Sequence, residues 1–412
     1  MIDLLKLREN PQEVVNAIKR KDPNFPIDSL ISKDNELRKL KLEVEQLRTQ
    51  KNELARQGQK GVTDELKEKA HQISSSIKDK ESKLVELEKE FTDLYLHCPN
   101  ILFDDVPNGN KESNKVVKTV GEKAQFDFEI KNHLELAKAL GWLDFEAAAV
   151  MSASNFALYK GDGVKLVYAL MLYMFNNNLK HGYFPVLPPY LVNEKSLECA
   201  SNFPRFKDAV YAVKDENLFL TPTAEVNLTN MYRDHIFSQE QLPVRMTAWT
   251  SCFRREAGNY GAHERGLIRI HQFEKVELYT ICNPENSAEE QDRMIACAEN
   301  ILKDLGLHYR ISLLAAQDTS FASAKTYDIE VWMPGQNAYY EVSSVSNCTD
   351  FQARRAHIRY KMPNGKNHLA YTLNASSLAL PRLMVAILET YQQSDGSIAI
   401  PEILKHVSIC MN

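Results

Sequence analysis

The sequence predicts an α+β chain in two parts: an N-terminal antiparallel two-helix coiled-coil arm, then a domain on a mixed, largely antiparallel sheet flanked by helices. Three observations carry this. The stretch from about Ser32 to Leu96 has no proline, two glycines and dense Lys, Glu, Leu and Gln, the composition of long helix. Its apolar residues keep a 3-4 spacing on both sides of a break at Gly58 and Gly61. After about Val116 the apolar runs alternate between helical and strand periods, and most strand-like runs are neighbours separated by turns.

At 412 residues the chain is long for one domain, and its 44% hydrophobic, 25% charged composition is that of a folded globular protein. The expected division gives 1–100 to the arm and its base, 101–115 to a linker and 116–412 to the sheet domain. A net charge of −5 excludes an overall positive field, so a nucleic-acid partner has to be held by a local basic patch. No apolar run is long enough to span a bilayer, and "MIDLLKLRENPQEVV" lacks a signal-peptide block, which predicts a cytoplasmic protein with no membrane partner. The seven scattered cysteines include no C-x-x-C and read as reduced thiols, mostly in the core. Neither H-E-x-x-H nor a close His/Cys pair is present, so no zinc is expected.

Along the arm one seam runs Leu37, Leu40, Val44, Leu47, Lys51, Leu54, and the other Leu66, Ala70, Ile73, Ile77, Lys80, Leu84, Leu87, Phe91, Leu94. "RQGQKGVTDE" between them sets a tip near 58–63, so the region of about 32–96 folds back as a hairpin. Each helix of about 30 residues is ~45 Å long. Two helices cannot enclose a globular core and must project into solvent, as a dimerisation element or spacer, or to recognise a long partner. Arg48, Lys51, Arg56, Lys60, Lys67 and Lys69 near the tip offer contacts for phosphates. The interspersed glutamates weaken that signal, because mixed charge is the ordinary pattern of a solvated face.

Pro99 and Pro107 in "HCPNILFDDVPNGNKESNKVV" break the helix and open the polar linker. "KLVYALMLYMFNNNLKHG" reads as an apolar helix stopped at Gly182, followed by the proline-interrupted "YFPVLPPYLV". "SAEEQDRMIACAENILKDLG" opens on a Ser287/Glu290 capping box and closes at Gly306. Strands are expected at "LFLTPTAEV", "VRMTAWTSCFRRE", "IRIHQFEKVELYTIC", "HYRISLLA", "YDIEVWMP" and "NAYYEVSSVSNC". The two glycine-rich phosphate loops of βαβ folds are absent, so a nucleotide would have to lie on an antiparallel sheet.

A strand, "FRRE", a Gly-rich polar loop and a second strand with "RIHQF" resemble motif 2 of class II aminoacyl-tRNA synthetases, f-R-x-E, loop, R/H-x-x-x-F. "GYFPVLPP", Gly182 to Pro189, resembles motif 1, and "LALPRLMVAILE" with Arg382 resembles motif 3. "TPTAEV", "HQFEKVEL", "YYEVSSVSNCTDFQARR", "TLNASSLA" and the arm narrow the resemblance to seryl-tRNA synthetases of the bacterial type, over essentially the whole chain. This implies a class II synthetase catalytic domain that joins L-serine to ATP, releases pyrophosphate and transfers the seryl group to the 3′-terminal adenosine of tRNA(Ser), with tRNA(Sec) as a second candidate. It also implies a homodimer through motif 1, marked by Gly182 and Pro189, with the arm gripping the tRNA.

By resemblance, Arg254 contacts the α-phosphate, Glu256 the adenine amino group, Phe273 stacks on adenine and Arg382 holds the terminal phosphates. These make Arg254, Glu256 and Arg382 the catalytic set, and Arg255, Arg269, Glu341, Val342, Ser343 and Ser344 complete the expected ATP site. Glu341 and Ser344 would ligate Mg2+, an ion that prefers hard oxygens. Thr223, Ala224, Glu225, Arg254, Glu277, Asn374 and Ser376 are implied for serine. Taken singly, each acid reads as an exposed strand-end charge and each Arg/Glu pair as a surface ion pair. Where the family usually shows "NGSGLAVGR" this chain has "NASSLALPR", so Ala375, Ser377 and Pro381 replace glycines and leave the geometry around Ser376 open. Pro381 suits the first turn of the helix that carries Arg382. Two other readings remain: a related enzyme loading a carrier protein, whose known type lacks the long arm, and an interaction protein that keeps the fold without the chemistry.

Overall fold

A computed structural model describes residues 1–59, 61, 63–257 and 266–407. The chain divides into two compact units, Met1–Pro99 and Asn100–Asn412.

The first unit is helical: α1 (Leu4–Glu9), α2 (Pro11–Lys21), α3 (Ile27–Gly58) and α4 (Asp64–Leu96). Asp3 caps α1 and Thr63 caps α4, each side chain accepting a bond from a first-turn amide. α3 and α4 form the hairpin, with Leu37, Val44, Ile77, Leu87 and Phe91 buried between them and Leu54 and Leu66 only half-buried toward the tip. A two-helix seam cannot exclude water from both sides, and its burial fades where nothing else covers it. Lys51, placed by heptad spacing on the seam, is exposed, whereas Lys80 is half-buried and pairs with Glu43 across the hairpin. At the base, Ile18, Ile27 and Leu30 are fully buried. Buried Asp34 there accepts a forked bond from Arg8 at 2.8 and 2.7 Å, a pairing that heptad analysis did not anticipate.

The second unit holds β1 (Lys115–Val120), α5 (His133–Leu140), α6 (Phe145–Met151), α7 (Asp162–Lys180), β2 (Phe184–Val186), β3 (Leu191–Asn193), α8 (Glu194–Cys199) and β4 (Leu218–Leu220). There follow α9 (Ala224–Met231), β5 (Ile236–Ser238), β6 (Val244–Phe253), β7 (Gln272–Cys282), α10 (Ser287–Asp304), β8 (Tyr309–Leu313), β9 (Lys325–Met333) and β10 (Ala338–Asn347). The last are α11 (Phe351–Ala356), β11 (Arg359–Lys361), β12 (Asn367–Leu369), β13 (Tyr371–Ala379), α12 (Leu380–Thr390) and α13 (Glu402–Lys405). Eight strands make the main sheet in the order β1-β8-β9-β10-β13-β7-β6-β2. Every pairing is antiparallel except that of β2, which runs parallel to β6.

Strand alternation sends Val276 and Leu278 of β7, Leu373 and Ala375 of β13, and Val342 and Val345 of β10 to one face. They pack there with Leu166, Leu170 and Met174 of α7, Met294 and Ile301 of α10, and Leu383 and Ile387 of α12. The opposite face carries Met246, Ala248, Tyr279 and Ile281 under α9 and α11 and opens into a cavity beside them. Among the described residues no helix is long and apolar enough to cross a membrane. The six described cysteines are buried free thiols.

Three local expectations fail for physical reasons. "LFLTPTAEV" is a strand only over Leu218–Leu220, because the Thr223 hydroxyl accepts from the Glu225 amide and starts α9. Ser287 and Glu290 form no capping box: Ser287 donates to the Pro284 carbonyl, and buried Glu290 takes a forked bond from Arg245 on β6 at 2.6 and 2.7 Å. The expected linker is partly packed, with Leu102 and Val106 buried, and just before it the buried Asn100 amide donates to Ala322 O and Cys348 O, both at 2.9 Å.

Candidate active site

The cavity lies where two strands of the main sheet part. β10 and β13 pair only at Ser346–Asn374 and Asn347–Leu373, and past Asn374 the gap is bridged by the Ser343 hydroxyl donating to the Ser376 carbonyl. The opening has a volume of about 460 Å³, within the range of small-molecule sites.

Its floor follows the alternation of β7. Phe273, Lys275 and Glu277 are two residues apart and all face the cavity. β10 contributes Glu341, Ser344 and Ser346, β13 contributes Asn374 and Ser376, and the N-terminus of α9 contributes Thr223 and Glu225. Arg254 and Glu256, just past β6, and Arg269, just before β7, form one wall, and Arg382 on the first turn of α12 closes another. Residues 258–265, between Glu256 and Arg269 in sequence, lie outside the described residues, as does Lys60 of the arm. Gly266 has a φ of +65°, and an added Cβ would meet His133 Nε2 at 2.5 Å and Leu134 Cδ2 at 2.6 Å, so a larger residue there would be strained.

Each arginine is held in place by at least one acceptor or ring. Arg254 donates through Nε to Pro222 O at 3.2 Å, and its guanidinium lies over the Phe273 ring, 5.2 Å from the centroid. Arg382 donates to Ile268 O at 3.3 Å and Glu341 O at 2.8 Å, with the Glu341 carboxylate 3.3 Å away. Arg269 donates to Glu256 at 2.6 Å, and Glu256 has a φ of +46°, a strained value for a residue with a Cβ.

At the deep end Lys275 is ion-paired with Glu277 and donates to Thr223 Oγ at 2.7 Å; the Thr223 hydroxyl in turn donates to Glu277 at 2.8 Å. Glu225 accepts from Gln352 at 2.6 Å and Asn374 at 3.0 Å. Burial, reinforced by the charge of Glu277, pushes its carboxyl up to about 7. On the other side Asp328 of β9 is pushed well above the carboxylate range by burial and by Glu341, and its Oδ1 is buried with no hydrogen-bond partner among the described residues.

Most of the residues expected for ATP and serine therefore share one cavity, and four do not. Arg255 is exposed, Ala224 and Val342 are buried in apolar clusters, and Ser343 is buried with its hydroxyl spent on Ser376. Val342 is the extra residue at a register shift against β9, which turns both it and Ser343 out of the cavity. Ala375 and Ser377 also point into the opposite face, and neither occupies the cavity. Lys275 went unnoticed although it shares the parity of Phe273 and Glu277, and that period-2 pattern was the signal for it. Gln352 reaches the site through its bond to Glu225, and Asp328 lies beside Ser344 across the β9–β10 pair, placements that no local pattern marks. On the arm, Arg48, Lys67 and Lys69 pair with Glu81, Asp64 and Glu65, while Lys51 and Arg56 are exposed.

Comparison with known proteins agrees with this geometry. Residues 1–102 match the family model of the seryl-tRNA synthetase N-terminal domain, and residues 211–391 that of the class II tRNA synthetase core domain (G, H, P, S and T). The serine–tRNA ligase of Methylacidiphilum infernorum is 44% identical over 98% of this chain and 97% of its own length, and that of Campylobacter hominis 45% over 98% and 99%. A crystal structure of seryl-tRNA synthetase from Pyrococcus horikoshii complexed with ATP superposes with a TM-score of 0.91 at 34% identity, covering 99% of this chain and 98% of that one. With both domains matched in order and such relatives aligned from end to end, the chain belongs to the seryl-tRNA synthetase family.

Proposed function

We propose that this chain, as a cytoplasmic homodimer, activates L-serine with ATP and transfers the seryl group to the 3′ end of tRNA(Ser). The observation that carries the reading is the cavity itself, with arginines on two walls, an aromatic ring on its floor and a polar end lined by Thr223, Glu225, Lys275 and Glu277. A serine carboxylate oxygen forms a bond to the α-phosphorus while the bond from that phosphorus to the pyrophosphate oxygen breaks. The carboxylate is already ionised at neutral pH, so no general base is needed, and the protein's task is positioning and charge neutralisation. Arg254 and Arg382 supply that charge in a bidentate form that lysine cannot. Phe273 carries the base, Glu256 reads its amino group, and Arg269 steadies Glu256.

Glu341 and Ser344 are hard oxygen donors along one wall, with the Asp328 carboxyl paired beside Ser344 on β9, a set that fits Mg2+. When bound there the ion would neutralise charge on the phosphate oxygens. At the far end, Thr223, Glu225, Glu277, Asn374 and Ser376 surround the amino acid, and buried groups left unpaired by alanine would reject it. The hydroxyl of the tRNA 3′-terminal ribose then attacks the seryl carbonyl carbon, forming the ester and releasing AMP. The exposed Lys51 and Arg56, and Arg48, Lys67 and Lys69 with their surface ion pairs, supply phosphate contacts on the arm. Gly182 to Pro189 form the dimer contact.

Serine-dependent ATP–pyrophosphate exchange, run beside tRNA charging with a variant lacking 35–93, tests the proposal. Exchange that survives while charging collapses supports it. Absence of serine-dependent exchange in the full chain overturns it.

A further inference from the structure

Behind the deep end of the cavity, on the sheet face packed by helices, sits a cluster of polar side chains in an otherwise apolar layer. Its centre is Asn178, near the C-terminal end of α7 and fully buried. Its Oδ1 accepts from the Ser377 hydroxyl at 2.9 Å and from Cys297 Sγ at 3.3 Å, and its Nδ2 donates to Thr247 Oγ at 2.9 Å. The Thr247 hydroxyl donates onward to the main-chain carbonyl of Glu277 at 2.8 Å. Asn178, Thr247, Cys297 and Ser377 are all fully buried.

Burying four polar groups in a core costs free energy unless each is bonded, and apolar side chains of similar size would fill the space without that demand. What the network gains is a fixed geometry at two points of the site. One is Glu277, whose carbonyl is tied to Thr247. The other is a bulge: β13 pairs with β7 at Ser376–Glu277 and then at Leu378–Val276, so Ser377 is the extra residue. Bulges re-aim the neighbouring side chain, and here the neighbour is Ser376. That bulge is held by two bonds, from the Ser377 hydroxyl to the Asn178 amide oxygen and from the Ser343 hydroxyl of the neighbouring strand to the Ser376 carbonyl.

We propose that Asn178, Thr247 and Ser377 form a buried clamp that sets the positions of Glu277 and Ser376, and are thereby positioning residues for amino-acid selection. The inference rests on the proposed serine site. It predicts a directional effect, because Phe273, at the nucleotide end of β7, is four residues from Glu277, about 13 Å along the strand. Loosening the clamp disturbs the amino-acid end and leaves the nucleotide end in place.

The test uses the full chain with Thr247→Val, which removes the hydroxyl at constant shape, and Ser377→Ala, beside Thr247→Ser, which keeps the hydroxyl. In pyrophosphate exchange each of the first two raises the serine KM about fivefold, the worth of one net hydrogen bond, while the ATP KM stays within about twofold. Thr247→Ser restores the serine KM. Serine and ATP KM values that move together, or a serine KM that does not move, overturn the clamp. A wild-type chain with no serine-dependent exchange refutes the functional reading instead. The clamp is then decided by crystal structures: a bulge at Ser376 unmoved in Ser377→Ala overturns it, and a displaced one supports it.

Discussion

Serine binding in this protein should release a proton. Glu225 is half-buried beside the fully buried Glu277, and its carboxyl is raised from an ordinary 4.5 to about 7, first by loss of solvent around it and then by that neighbouring charge. Lys275 already neutralises Glu277 through a buried ion pair, so Glu225 is the acid left to balance an incoming ammonium group. The ammonium requires it ionised. For a carboxyl near 7, the apparent serine affinity is almost unaffected at pH 8 and weakened about tenfold at pH 6, or ~1.4 kcal/mol. Calorimetry in buffers of different ionisation enthalpy should show proton release at pH 6 that fades by pH 8, and the serine KM in exchange should follow. Glu225→Gln should flatten both. Without ligand the same group acts on folding: between 4.5 and about 7 the folded chain holds the extra proton, so stability falls as pH rises across that window, by about 3 kcal/mol at most. Glu225→Gln removes this slope. A serine KM independent of pH, or a full pH dependence retained in Glu225→Gln, would refute the reasoning.

Other outcomes follow from the same geometry. Arg382→Ala removes the fork on the first turn of α12 and should lower kcat/KM for ATP in exchange by roughly 10²–10³-fold, with little change in melting temperature because the side chain is partly exposed. Phe273→Ala should weaken ATP binding by about 1–3 kcal/mol, the value of one base stacked on an aromatic ring, and leave the serine KM within about twofold. Asp34→Ala breaks the forked pair with Arg8 at the base of the arm and should cost about 2 kcal/mol, less than a fully buried pair because Arg8 can turn to water. Urea unfolding of the full chain would show it as an early transition, with exchange activity retained.

The two-helix arm and most long strands were legible because their signals are local and repeated. Heptad spacing needs only a helix and a partner, and the parity of β7 survives any packing. Errors arose where a side chain had two competing uses. Glu290 fits a capping box by spacing, but the fork of half-buried Arg245 is the stronger partner. Thr223 sits in a strand-like run, yet its hydroxyl caps α9. At the cavity, Arg254, Phe273 and Arg382 were recognisable as a set of spaced motifs, whereas Asp328, Gln352 and the clamp around Asn178 exist only once separate strands and helices have met. The "NNN" of α7 reads as a polar helix end, and nothing local says that two of those asparagines are buried.

The most direct measurement is a crystal structure of this chain with ATP. Guanidinium nitrogens of Arg254 and Arg382 should then lie within hydrogen-bonding distance, about 3 Å, of phosphoryl oxygens, with the base against Phe273. Phosphates bound elsewhere, or separated from both arginines by more than a water molecule, would contradict the account.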